Sequence, residues 1–205
     1  LSFTETGKVE ALGATKDFTF KNNYAFDIEE SSKPWSALRD YTLTGFLTLW
    51  KQSKPIENAV VENNKFENIP ATNVVIGNTR GITIKNNTFR NFGYDAVRID
   101  GGYNYGKTLV EGNKFVNDEL GGYNGVYFRA VGADKESYET NLNVIEVKNN
   151  YFKNIGQDEL FSGAISSSAY QEFGAKLEIT HNTFESCYNF LMLRNNATTE
   201  NHNTY

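Results

Sequence analysis

One six-residue motif recurs along the chain and constrains the fold more than any other feature. It consists of a β-branched apolar residue, two mostly polar residues, an asparagine, one further residue and a phenylalanine; the copies are 61–66, 84–89, 110–115, 147–152 and 179–184. A degenerate copy, 20–25, ends in Ala25. Successive phenylalanines are 23, 26, 37 and 32 residues apart. Short repeats separated by insertions of variable length are typical of a solenoid, in which each repeat packs only on its neighbours.

The residues around the motif predict short β-strands joined by tight corners. The positions five and seven before each phenylalanine are apolar or small, as in Ile84 and Ile82, and a spacing of two is that of a strand. Every copy has an asparagine two residues before its last position: Asn23, Asn64, Asn87, Asn113, Asn150 and Asn182. Asparagine tolerates the left-handed backbone of a sharp corner, and its amide can bond a neighbouring amide. Stacked corners therefore predict an asparagine ladder beside an internal column of phenylalanines.

Composition and charge exclude several classes of protein. The 205 residues include 26 asparagines, which are poor formers of helix and strand interiors and disfavour a helical bundle or an ordinary sandwich. Disorder is disfavoured because 14% of the residues are aromatic and apolar residues alternate with polar ones. The net charge is -5 with dispersed basic residues, which argues against nucleic-acid binding. The single cysteine, Cys187, allows no intrachain disulfide.

The corner motif flanked by short strands resembles the repeat of the pectate-lyase-like superfamily, over residues 17–196. The resemblance implies an all-β fold, a single-stranded right-handed parallel β-helix (β-solenoid) of about six to seven coils with an asparagine ladder. Three sheets would run along it, with the ladder between the second and third sheets and a first-sheet strand opening each new coil. We predict one domain over residues 1–205, with an irregular insertion at 31–55 and a polar C-terminal tail at 195–205.

Alternation along the first-sheet strands predicts two outward rows of side chains. If Val97 and Ile99 face the core, Arg98 and Asp100 face solvent. The row through Arg98 is then Val75, Arg98, Tyr127, Ile165 and Met192. The row through Asp100 is Gly77, Asp100, Arg129, Ser167 and Arg194.

The outward row of the second sheet has a different character, because its charges alternate from one repeat to the next. Its members are Lys21, Glu62, Lys85, Glu111, Lys148 and Thr180. Neighbours of opposite sign at strand spacing are expected to pair on a solvated face. We therefore expect Lys85 and Glu111 to be structural and not catalytic.

The first-sheet rows concentrate cationic and aromatic residues on an acidic chain, beside long glycine- and tyrosine-bearing loops. The predicted substrate-binding residues are Arg98, Asp100, Tyr103, Tyr105, Tyr127, Arg129 and Arg194. In pectate-lyase-like proteins this face forms the polysaccharide cleft, where tyrosine rings offer flat surfaces for sugars and arginine pairs with uronate or sulfate groups. The structural alternative is that Asp100 only pairs with Arg129 and that Arg98 only stacks on Tyr127.

The resemblance also implies a catalytic alternative. Lyases of this superfamily remove the proton beside a uronate with an arginine or lysine base, often with calcium bound to the carboxylate. The candidates for the base are Arg98, Arg129 and Arg194, and the weak candidates for calcium ligands are Asp95, Asp100 and Asp118. Glycosidases of this fold need two or three clustered acids, whereas only Asp100 lies on the first-sheet strands.

Three hypotheses for the function follow. The first is a secreted or cell-surface, adhesin-like module that binds an acidic or complex polysaccharide through the outer face of its first sheet. The second is a polysaccharide lyase that cleaves uronate-containing polymers by β-elimination, and the third is a structural solenoid spacer. The expected partners are a glycan and neighbouring domains of a larger secreted protein, with no nucleic acid and no membrane insertion.

Overall fold

The computed structural model describes residues 16–27, 45–49, 56–77, 79–100, 105–129, 144–157, 162–169 and 176–195. Within these ranges the chain forms strands and no helix. The strands are β1 (Thr19–Lys21), β2 (Tyr24–Phe26), β3 (Gly45–Leu49), β4 (Ile56–Glu62), β5 (Lys65–Ile69), β6 (Thr72–Gly77), β7 (Thr79–Lys85), β8 (Thr88–Phe92), β9 (Asp95–Asp100), β10 (Tyr105–Glu111), β11 (Lys114–Gly121), β12 (Asn124–Arg129), β13 (Val144–Lys148), β14 (Tyr151–Ile155), β15 (Gly163–Ala169), β16 (Lys176–Thr180), β17 (Thr183–Glu185) and β18 (Leu191–Asn195). A membrane-spanning helix is likewise not found in this described part of the chain.

The strands form three parallel sheets of six strands each. The first sheet has the order β3-β6-β9-β12-β15-β18, the second β1-β4-β7-β10-β13-β16 and the third β2-β5-β8-β11-β14-β17. Along the chain the strands pass from the second sheet to the third and then to the first, so each strand pairs with the strand three places on. The prediction of an all-β fold with parallel strands is confirmed, and this connectivity is consistent with a β-solenoid.

Six asparagines lie at the corners between second-sheet and third-sheet strands, and we call them the asparagine row: Asn23, Asn64, Asn87, Asn113, Asn150 and Asn182. In each of the first five members the backbone nitrogen and Nδ2 both donate to Oδ1 of the next member, at 2.9–3.0 Å. The second hydrogen of Nδ2 is also used, as in Asn113, where Nδ2 donates to the carbonyl of Ile84 at 2.9 Å. These bonds satisfy buried polar groups that would otherwise be costly.

The residue before each member of the row makes the corner. These residues have φ between 55° and 66° and are Asn22, Asn63, Asn86, Gly112, Asn149 and His181. Most side chains avoid this left-handed region, whereas glycine and asparagine enter it at little cost. His181 takes the same left-handed corner conformation as the asparagines, and its place in the motif is therefore structural.

The phenylalanines of the motif stack in the interior. The ring centroids of Phe66, Phe89, Phe115 and Phe152 are 4.7–5.0 Å from their neighbours, with the rings within 7° of parallel. All four side chains are at most 1% exposed. Isoleucine and valine residues of the first and second sheets complete a single apolar core, among them Ile84 and Ile99. The strand spacing of about 4.8 Å matches the ring spacing, so the stack follows from the register.

The outward row of the second sheet has the predicted register, from Lys21 opposite Glu62 to Lys148 opposite Thr180. Lys21 Nζ lies 2.8 Å from a carboxylate oxygen of Glu62, and Lys85 Nζ lies 3.2 Å from one of Glu111. The hydrogen bond from Lys85 lowers the pKa of Glu111. These charges pair on the face of the sheet, each pair contributing at most about 1 kcal/mol.

The central members of the asparagine row are expected to matter more than the terminal one. Asn113→Leu removes the acceptor of two Asn87 donors and the side-chain donor to the carbonyl of Ile84, while Oδ1 of Asn150 keeps its bond from the backbone of residue 113. We expect it to lower the free energy of unfolding by about 3 kcal/mol. Asn182→Leu, at the partly exposed end of the row, should cost about 1 kcal/mol because water replaces part of what is lost. Urea denaturation followed by circular dichroism measures both, and equal losses would contradict the prediction.

Candidate functional site

The centre of the predicted binding face lies on β9 and β12. These strands pair in parallel with Arg98 opposite Tyr127. The guanidinium carbon of Arg98 is 5.9 Å from the centroid of the Tyr127 ring, and both residues are half-buried. A cation at this distance from an aromatic ring is attracted by the ring quadrupole. The contact orients both side chains and places a positive charge and an aromatic ring side by side.

The predicted row through Arg98 is wrong in β15. Tyr127 lies opposite Ser166, and Ile165 instead pairs with Val126 and is fully buried. The prediction aligned Gly163 with Gly125, whereas Gly163 pairs with Asn124. A glycine has no side chain to favour one face of a sheet, so the pattern alone left a slip of one residue undetected.

The same slip affects the second predicted row, where Ser168 and not Ser167 lies opposite Arg129 and Arg194. The row through Arg98 is in fact Val75, Arg98, Tyr127, Ser166 and Met192. Val75 and Ser166 are 0% and 3% exposed. Arg98 and Tyr127 are therefore accessible in this row, whereas Val75 and Ser166 on either side of them are buried.

A second aromatic pair lies where the same two strands begin. The rings of Tyr94 and Tyr123 stack 4.8 Å apart and within 5° of parallel. Each tyrosine directly precedes its strand, and both are half-buried. Four residues separate Tyr94 from Arg98, which corresponds to about 13 Å along a strand. Strands β9 and β12 thus carry two tiers of paired side chains.

The remaining predicted substrate-binding residues are described only by their backbone positions. Asp100 lies opposite Arg129 across β9 and β12, and Arg194 lies in β18. Tyr105 begins β10, which belongs to the second sheet. Tyr103 lies outside the described residues. Arg98 and Tyr127 are consequently the two predicted residues whose side chains the structure brings into contact.

Asp95 lies in the interior at the start of β9. It is 0% exposed, and its Oδ1 accepts a hydrogen bond of 2.7 Å from Nδ2 of Asn124. Oδ1 of Asn124 in turn accepts one of 2.7 Å from the hydroxyl of Ser166. This chain of polar contacts joins β9, β12 and β15. Among the described residues, no group of three or more histidine, cysteine, aspartate or glutamate side chains is placed to hold a metal.

Beside the tyrosine pair, β11 leaves its regular path. Val116 pairs with Lys153 but Gly121 pairs with Ile155, so β11 contains three residues more than β14 over the same span. The extra residues are Asp118, Glu119 and Leu120, all exposed, and we call them the excursion. Leu120 is 55% exposed, which is unusual for a large apolar side chain.

The excursion forms one wall of an open cavity of about 560 Å³, which we call the corner pocket. It is also lined by Asn91 and by Asn68 and Pro70, which belong to the two preceding repeats. Gly93 and Gly122 also line it, and they directly precede Tyr94 and Tyr123. A cavity of this size is within the range of small-molecule sites. Its position connects it to the tyrosine pair and so to the face of β9 and β12.

An ion network on the third sheet holds the excursion in place. Arg90 donates from Nη2 and Nε to the Asp118 carboxylate at 2.8–3.1 Å, and from Nη1 to Glu67 at 2.9 Å. Lys65 Nζ and the Tyr24 hydroxyl both lie 2.6 Å from Oε2 of Glu67. Glu67 is only 9% exposed. The bonds from Lys65 and Tyr24 lower the pKa of Glu67 from 4.5 to about 2.

Sequence reasoning missed the corner pocket, although a signal for it exists. Phe89 precedes Asp95 by six residues, whereas Phe115 precedes the equivalent Asn124 by nine. Of the three repeats that contain Phe66, Phe89 and Phe115, the repeat with Phe115 therefore has three extra residues between its phenylalanine and the next first-sheet strand. The tyrosine pair was also missed, because side chains at corners follow no alternation.

Comparisons with protein-family models, with curated proteins and with solved structures find no match to this chain. The groups available for binding at the site are the Arg98–Tyr127 contact, the Tyr94–Tyr123 stack and the corner pocket.

The low pKa of Glu67 predicts a specific acid sensitivity. The unfolded chain takes up a proton on Glu67 near pH 4.5 and the folded chain only near pH 2, so acid favours unfolding between these values. Glu67→Gln should flatten the dependence of the urea midpoint on pH between about pH 5 and pH 2.5. Glu119→Gln is the matched control, since Glu119 forms no ion pair with a described residue. Parallel pH profiles for all three proteins would contradict the assignment.

Proposed function

We propose that this protein is an extracellular or cell-surface module that binds an acidic polysaccharide along β9 and β12 of its first sheet. The proposal includes the finer architecture: a right-handed parallel β-helix of the pectate-lyase-like kind, about six to seven coils long, in which the asparagine row is the ladder. The Arg98–Tyr127 contact carries the proposal. It combines a group that binds carboxylate or sulfate with a flat ring on which a sugar can lie.

The chemistry of the two side chains suits a charged sugar. A guanidinium has a planar set of donors that matches the two oxygens of a carboxylate, and it stays charged at every physiological pH. The hydrophobic face of a pyranose stacks on an aromatic ring, as Tyr127 offers. Arg98 and Tyr127 need no rearrangement to act together, because the pairing of β9 with β12 already sets them side by side. Preorganised contacts of this kind reduce the entropic cost of binding.

The position of the tyrosine pair supports a polymer over a single sugar. Tyr94 and Tyr123 extend the aromatic surface about 13 Å along the same strands, further than one ring requires. The parallel sheet beneath is rigid, since its interior is the close-packed apolar core. A rigid, straight surface with aromatic groups at intervals favours an extended chain.

Charge elsewhere on the molecule provides a matched control for Arg98. Arg98→Ala should weaken binding of an acidic oligosaccharide by about tenfold or more, since a charged hydrogen bond is lost. Lys85→Ala removes the same charge from the second sheet, where Lys85 pairs with Glu111, and should change the affinity by less than about twofold. Isothermal titration calorimetry with uronate oligosaccharides measures both. Equal effects of the two substitutions would mean that only the net charge of the protein affects binding, and would contradict the proposed binding face.

Tyr127→Phe and Tyr127→Ala separate the ring from its hydroxyl. The proposal expects the phenylalanine variant to keep most of the affinity and the alanine variant to lose it, because stacking needs only the ring.

Formation of an unsaturated sugar, followed by its ultraviolet absorbance, would instead identify a lyase. In that case Arg98→Ala should abolish turnover, since Arg98 is the candidate base that contacts the aromatic surface.

A further inference from the structure

The corner pocket has an electrostatic character opposite to that of the face it adjoins. Asp118 and Glu119 of the excursion line it, and no lysine or arginine is among the described residues that do. Arg90, which binds Asp118, lies outside the lining and is held between Asp118 and Glu67. Glu119 forms no ion pair with a described residue. Because Arg90 neutralises Asp118, the carboxylate of Glu119 is the lining charge that repels an anionic group.

The polar groups of the pocket suit an uncharged sugar. Glu119 offers a carboxylate that accepts hydrogen bonds, and Asn68 keeps one Nδ2 hydrogen beyond the one that it donates to Asp27. Asn91 is already fully bonded, since its Nδ2 donates to Asn68 and Asp118 and its Oδ1 accepts from the backbone nitrogen of Asp118. A sugar hydroxyl donates and accepts as well, so it can satisfy either kind of partner. Leu120 and Pro70 add apolar surface, to which the carbon–hydrogen face of a sugar can pack. A uronate carboxylate would instead face the carboxylate of Glu119, which forms no ion pair with a described residue.

We propose that the corner pocket binds an uncharged sugar residue of the same polysaccharide whose acidic residues bind at Arg98. The inference rests on the proposed glycan binding, and it narrows the ligand to a polymer in which charged and neutral residues both occur. The pocket selects against a polymer made only of uronate. Gly93 and Gly122 line the pocket and directly precede Tyr94 and Tyr123, so the pocket adjoins the tyrosine pair.

The proposed preference for a polymer with both charged and neutral residues can be tested with oligosaccharides that share one glycosidic linkage and differ only in charge. Galacturonate oligosaccharides of equal length can be prepared unesterified, half methyl-esterified and fully methyl-esterified. The half-esterified form should bind at least about fivefold more tightly than the unesterified form, although it carries less charge for the cationic face. The fully esterified form should bind most weakly, because Arg98 then has no carboxylate to bind. Calorimetric titration of the whole chain measures all three.

A pocket-filling variant makes the test specific to this site. A side chain added at Gly121 meets no atom closer than 3.7 Å, and its φ is not in the left-handed region, so Gly121→Leu can fill the cavity without backbone strain. Gly121→Leu should abolish the preference for the half-esterified ligand and leave binding of the unesterified ligand unchanged. Thr88→Leu, on the outer face of the third sheet and away from the pocket lining, is the matched control and should keep the preference.

The outcomes distinguish the two proposals. If no acidic ligand binds, the proposed function fails and the pocket assignment fails with it. If unesterified and half-esterified ligands bind equally, or if Gly121→Leu keeps the preference, only the pocket assignment is overturned. If Arg98→Ala weakens both acidic ligands while Gly121→Leu affects only the half-esterified one, both proposals stand.

Discussion

The hydrogen bond from one corner asparagine to the next is the interaction on which the rest of this structure depends. Oδ1 of Asn113, for example, accepts two hydrogen bonds from Asn87 in the preceding repeat, and Nδ2 of Asn113 donates to the carbonyl of Ile84 in that repeat. Three short bonds in fixed directions allow a single alignment of adjacent repeats. Because side chains alternate along strands, that alignment then determines which residues stack inside and which face outward. The phenylalanine stack and the ion pairs of the second sheet both follow from it.

A fold held in register at its corners tolerates irregularity elsewhere. The excursion of β11 adds three residues, yet Phe115 and Asn113 keep their places in the stack and the row. The ion network of Arg90 and Glu67 secures the new segment on the third sheet without involving the core. The candidate site is thus built where the chain departs from its repeat, while the repeat supplies rigidity. Loops on a regular scaffold are common places for binding sites for this reason.

The candidate site combines two surfaces with different electrostatics. Arg98 and the tyrosines form a cationic and aromatic surface on β9 and β12, and the corner pocket beside it is acidic. A surface of one sign attracts any polymer of the opposite sign, whereas adjacent surfaces of different sign respond to the pattern of charges along it. The proposed specificity arises from that juxtaposition, on a chain whose net charge is -5.

The sequence by itself determined the parallel all-β architecture, the corners and the alternating charges of the second sheet, since each depends on residues a few positions apart. It also put Arg98 opposite Tyr127. It did not determine the register of β15. The alternation of apolar and polar residues aligned Gly163 with Gly125, whereas Gly163 pairs with Asn124. The tertiary structure alone decided that Val75 and Ser166 are buried, that Arg90 joins Glu67 to Asp118 and that the excursion lines an open pocket. These features depend on contacts between repeats 23 or more residues apart, which local periodicity does not encode.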